Sequence, residues 1–134
     1  MAADHSEPTG QPLVLVVDDE PGILEFLRYA LEDNGYRVQT ARDGLDALAR
    51  IGDEPPDVVL TDLMMPRVDG WELCRRLRGE NGLHYLPIIG MSAVEPNGAP
   101  LDAFLRKPFE LDDLLVALTR FSKPLNGREM ASEA

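Results

Sequence analysis

Cysteine, histidine and positive charge are scarce in this chain. A single cysteine, Cys74, among 134 residues excludes an internal disulfide and any cysteine-built zinc site. Two histidines, His5 and His84, leave little material for a His-based metal centre or a catalytic triad. Lysine and arginine total 13 against 24 aspartates and glutamates, a formal net charge of −11. So acidic a surface repels phosphate backbones, and the chain alone is expected to bind neither nucleic acid nor an anionic membrane. No apolar run approaches the ~18 residues of a membrane-spanning helix. The stretch Met1–Gln11 is polar without lysine or arginine and does not read as a signal peptide. With 44% hydrophobic and 28% charged residues, the expectation is one acidic, soluble, cytoplasmic globular domain. Residues 1–11 and 123–134 lack periodicity and read as flexible tails around a domain over residues 12–122.

Between those tails, short apolar runs alternate with helical patterns. Leu13–Val17 is continuous and β-branched, the signature of a strand covered on both faces. Pro21 suits a first helical turn, and Ile23, Leu24, Leu27, Ala30 and Leu31 form one stripe that stops near Gly35. Tyr36–Ala41 reads as a second strand. Asp43 can cap a helix that carries Leu45, Leu48 and Ile51. Val58–Leu60 reads as a third strand, ending at Asp62, and Trp71–Leu77 as a third helix. Pro87–Met91 is a fourth strand ending at Ser92, and Ala103–Arg106 a fifth ending at Lys107. Leu111, Leu114, Leu115, Leu118 and Phe121 mark a last helix. Strand–helix alternation of this kind predicts an α/β fold, a doubly wound five-stranded parallel sheet. The site of such a sheet lies beyond the carboxyl ends of its strands.

Those ends carry Asp18, Asp19, Asp62, Ser92 and Lys107. Three carboxylates together repel one another, and a bound cation or a raised pKa relieves the repulsion. Oxygen-only ligands with room for water suit Mg²⁺ or Mn²⁺. A divalent ion, a lysine and a hydroxyl around one carboxylate make a phosphoryl pocket in which that carboxylate can act as nucleophile. Any one of these acids alone reads equally well as a helix cap.

Taken together, Val16-Val17-Asp18-Asp19-Glu20-Pro21, Leu60-Thr61-Asp62-Leu63-Met64-Met65-Pro66 with Asp69-Gly70, Met91-Ser92-Ala93 and Lys107-Pro108-Phe109 resemble the response-regulator receiver domain of two-component systems. The resemblance covers about Leu13 to Ser122 and implies a flavodoxin-like fold. It implies Asp62 as phosphoacceptor, with Asp18, Asp19, Asp62 and the Met64 carbonyl around the metal. Ser92 and Lys107 would meet the phosphoryl group, Lys107–Pro108 matches the family's cis peptide, and Phe104 holds the aromatic switch position. The implied partner is a histidine kinase or a histidine phosphotransfer protein, and the implied consequence is altered binding of an output partner. No output domain is expected in this chain, as a single-domain regulator or a truncated one. Two alternatives remain: a phosphorylation-independent pseudo-receiver, and a Mg²⁺-dependent phosphohydrolase with an aspartyl intermediate. The second fits poorly, because Met64 stands where that class has another aspartate. Trp71 reads as packing beside the active loop and Cys74 as a small buried hydrophobe.

One departure from the family stands out. Only 14 residues separate Ser92 from Lys107, about two helical turns short of the usual spacing. Pro96, Gly98 and Pro100 oppose a helix interior. The family's fourth helix is therefore predicted to be missing or shortened, leaving a loop over 93–102. The sheet face beneath is expected to lose its cover, offering an apolar patch to a partner or to a second copy in a homodimer.

Overall fold

The computed structural model describes residues 10–65, 68–79, 83 and 85–122. Most of both expected tails, Pro66 and His84 lie outside the described residues. In chain order the elements are β1 (Leu13–Val17), α1 (Pro21–Glu32), β2 (Arg37–Ala41), α2 (Gly44–Asp53), β3 (Val58–Asp62), α3 (Gly70–Gly79), β4 (Ile88–Ser92), β5 (Ala103–Arg106) and α4 (Leu111–Thr119). All strands are parallel, in the order β2-β1-β3-β4-β5. Every residue of β1, β3 and β4 is buried, as their uninterrupted apolar runs require, whereas edge strands β2 and β5 are largely half-buried.

Side-chain alternation along the strands divides the core in two. Val14, Val16, Leu60 and Met91 pack with Leu24, Leu27 and Leu31 of α1 and Leu114 and Leu118 of α4. Leu15, Val17, Val59 and Ile88 pack on the other face with Ala47 and Ile51 of α2 and Leu73, Cys74 and Leu77 of α3. Pro21 opens α1. Asp43 caps α2, its Oδ1 accepting from the Asp46 amide at 2.9 Å. Of the expected α2 stripe, Ile51 is buried and Leu48 packs against the core, but Leu45 is 44% exposed and Gly44 and Ala47 are buried instead. Gly44 meets the loop after β3, its amide donating to the Val68 carbonyl at 2.9 Å.

Residues 93–102 form no helix, as their prolines and glycine predict. Gly98 takes φ +76°, a left-handed conformation that glycine adopts without strain. The expected bare sheet face is absent, however, because the segment lies across it as a strap. Leu101 packs into the α2–α3 core and sits over Gly90, where a Cβ would come within 2.7 Å of its Cδ1. The Trp71 indole donates to the Asn97 carbonyl at 2.9 Å. Arg78 of α3 donates to the carbonyls of Pro100 (3.2 Å) and Leu86 (2.6 Å) and to Asp102 Oδ2 (2.6 Å). That same Asp102 oxygen accepts from the Ile88 amide at 2.8 Å. One leucine and an arginine with three partners thus do the covering a helix would have done.

Candidate functional site

The strand order reverses between β1 and β3, because the chain leaves β1 for β2 on one side and returns to β3 on the other. Val17 and Thr61 are register partners, so the next residues, Asp18 and Asp62, leave the sheet side by side. Asp18 is fully buried and Asp62 is 6% exposed; Asp19 faces solvent. One carboxylate oxygen from each of the three lies within 4.8 Å of the others. The Asp18 carboxylate is fixed by the Glu20 amide at 3.0 Å, and the Asp62 carboxylate accepts from the Met64 amide at 3.3 Å.

Lys107 reaches the same point from β5. Its Nζ stands 3.4 Å from Asp18 Oδ2 and 3.5 Å from Asp62 Oδ1. The Lys107 amide donates to the Ser92 carbonyl at 2.9 Å, which ties the ends of β4 and β5 together, and the Lys107–Pro108 peptide is cis. Ser92 is 1% exposed, and its hydroxyl oxygen accepts from the Val94 amide at 3.1 Å. Burial pushes the Asp62 carboxyl above its ordinary value; the positive charge of Lys107 opposes that rise and the negative charge of Asp18 adds to it. The nearby lysine favours the ionised form that burial disfavours.

Five of the expected site residues thus meet at one end of the sheet: Asp18, Asp19, Asp62, Ser92 and Lys107. Met64 follows Asp62 by two residues and is largely exposed. Phe104 sits apart, half-buried on β5 opposite Gly90. Its neighbours Ala103 and Leu105 pack toward α1 and α4, so Phe104 faces the strap side. Glu20 lies exposed at the start of α1, its amide rather than its carboxylate serving the site. Cys74 is buried in the α2–α3 core, and burial pushes its thiol up to about 12. An open apolar groove beside Lys107 is lined by Ile23, Phe26, Leu27, Pro108 and Phe109, with Phe26 58% exposed.

The chain matches the family model for the response regulator receiver domain over residues 14–119. It belongs to that family. Among curated relatives, the response regulator MprA of Mycobacterium tuberculosis (strain H37Rv) is 44% identical over 124 residues, covering 87% of this chain and 54% of the relative. MprA of Mycobacterium avium is 43% identical over a span of the same length. The receiver therefore spans about half the length of the curated relatives it matches. Among solved structures, the Vibrio cholerae chemotaxis protein CheY4 superposes with a TM-score of 0.77 at 31% identity, covering 84% of this chain and 99% of that one. The receiver domain of the sensor histidine kinase PA1611 from Pseudomonas aeruginosa, which carries a magnesium ion coordinated in its active site cleft, superposes with a TM-score of 0.76 at 28% identity, covering 84% and 98%. Four helices rather than five flank the sheet of this receiver among the described residues. No helix among them is long and apolar enough to cross a membrane.

Proposed function

We propose that this receiver takes a phosphoryl group on Asp62 from the phosphohistidine of a kinase or phosphotransfer protein, in the cytoplasm, and thereby changes what it binds. The observation that carries the reading is the approach of Lys107 Nζ to both Asp18 and Asp62, beside three carboxylates gathered within 4.8 Å. An Asp62 oxygen attacks phosphorus, a P–O bond forms, the P–N bond to the donor imidazole breaks, and the imidazole leaves with the bonding pair. Lys107 neutralises charge on the transferred group, and Ser92 can turn its hydroxyl to donate to a phosphoryl oxygen.

The donor set is all oxygen and fits a hard divalent cation. Asp18, Asp19, Asp62 and the Met64 carbonyl would hold Mg²⁺ or Mn²⁺, which supplies charge neutralisation and in-line orientation of the phosphoryl oxygens. Catalysis in this scheme is positioning and electrostatics. Return to the resting state is hydrolysis of the acyl phosphate by water. Phe104, facing the strap opposite Gly90, is the proposed reporter of the phosphorylated state through its packing.

Incubation with acetyl phosphate and Mg²⁺ followed by intact mass measurement tests the reading. One phosphoryl adduct is expected on the wild type and none on Asp62→Asn, whose amide is not a competent nucleophile. No adduct on the wild type would indicate a phosphorylation-independent binding module, and many turnovers per chain would indicate a phosphohydrolase.

A further inference from the structure

The active-site loop after β3 is held from a helix that contributes no side chain to the acid cluster. The first amides of any α-helix lack partners within the helix. At the start of α2, one such amide is directed at the loop: Gly44 N–H donates to the Val68 carbonyl at 2.9 Å. Close approach is possible only because residue 44 has no side chain. A Cβ built there would collide with the Val68 carbonyl oxygen and come within 2.5 Å of Val68 Cγ1. Two residues on, at the start of α3, the Gly70 amide donates back to the Leu63 carbonyl at 3.2 Å. A Cβ at Gly70 would fall 2.5 Å from the Asp62 carbonyl oxygen. Leu63, which accepts from Gly70, stands between Asp62 and Met64, whose amide holds the Asp62 carboxylate.

We infer that Gly44 is a positioning residue for phosphoryl transfer: its bare Cα and its helix-start amide clamp Val68, and through Gly70 set the backbone of Asp62 and Leu63, and with it the Met64 carbonyl that follows. The inference rests on the proposed function and names a residue outside the acid cluster. Any side chain at position 44 must displace Val68 or tilt α2, and a displaced Val68 pulls on Gly70 two residues on, which is packed against Leu63 and the Asp62 carbonyl. By contrast, Gly52 lies in the same helix with open space around it, so alanine there leaves the loop alone.

The test compares Gly44→Ala with Gly52→Ala. Metal affinity is read from Trp71 fluorescence or from the Mg²⁺-dependent rise in melting temperature, and labelling from acetyl phosphate. Gly44→Ala is expected to weaken Mg²⁺ binding by roughly tenfold, the lower end of what outer-sphere partners of a metal site contribute, and to slow labelling in protein that is still folded. Gly52→Ala should match the wild type in both. A purely structural role for Gly44 would lower the melting temperature and leave the metal midpoint of the folded protein unchanged; that result overturns the inference. Exchange of the Gly44 amide in the wild type gives a readout that needs no variant. It should slow when Mg²⁺ is added, and an unchanged rate in protein that demonstrably binds Mg²⁺ overturns the inference. A wild type that neither binds Mg²⁺ nor is labelled removes the proposed function itself, and the inference with it.

Discussion

Replacing Lys107 by methionine keeps the length of the side chain and removes the charge that faces two buried acids. Lys107 Nζ lies 3.4 Å from Asp18 and 3.5 Å from Asp62. At an effective dielectric near 20, each contact is worth about 5 kcal/mol of gross attraction. Desolvation offsets much of that, and removing one partner of a buried pair typically costs about 3–5 kcal/mol. Because the lysine side chain is 30% exposed, solvent screening lowers the expected loss to about 2 kcal/mol, or roughly 8 °C in melting temperature for a domain of this size. In an Asp62→Asn background one of the two contacts is already gone, and the same substitution should cost about half as much. Thermal or urea denaturation in the presence of a chelator measures both. The pH dependence has a definite sign. Burial raises the folded-state pKa of Asp62, and without Lys107 nothing opposes that rise from the lysine side. A carboxyl with a raised folded pKa favours folding below its ordinary value and loses that contribution as pH climbs through the raised one. Acidification therefore lets a proton stand in for the lysine, and the gap between Lys107→Met and wild type should narrow. Equal stability of the two at neutral pH without metal, or a gap that widens in acid, would refute the reasoning.

Two further perturbations probe the fold around the site. Arg78→Ala should destabilise by about 2 kcal/mol, the scale of charged hydrogen bonds lost at a partly buried site, and should open the strap to proteolysis within 93–102; a variant as stable and as resistant as wild type would show that the strap holds without Arg78. Burial pushes the Tyr36 hydroxyl up to about 12, with its proton donated to the Ser122 carbonyl at 2.9 Å. Stability should therefore fall by about 2–3 kcal/mol as pH rises from roughly 10 to 12, a loss that Tyr36→Phe removes in a comparison of urea midpoints across that range.

The central strands were readable because burial on both faces writes itself as Leu13–Val17 and Val58–Leu60, runs without polar interruption. The acid cluster was readable for a related reason: a doubly wound sheet brings strand ends together, so Asp18, Asp62 and Lys107 need no local proximity in sequence to meet. Missing helix content over 93–102 followed from Pro96, Gly98 and Pro100. What the strap does instead was not readable. Leu101 looks like any loop leucine until Gly90 lies beneath it, and Arg78 is one of three arginines on α3 whose reach depends on where Pro100 and Asp102 lie. Leu45 misled because helical spacing allows it on the apolar stripe, whereas α2 buries Gly44 and Ala47 beside Ile51 and leaves Leu45 outside. Gly44 itself carries no signal in a sequence, since its role depends on the absence of atoms.

The short strap also changes the order in which the sheet can assemble. Paired residues of β1 and β3 are 44 positions apart, as in Val14 and Val58; those of β4 and β5 are only 14 apart, as in Ile89 and Ala103. Closing the shorter loop costs about 1 kcal/mol less chain entropy. Among the parallel pairings of this sheet, β4 with β5 has become the most local, and local pairings form fastest.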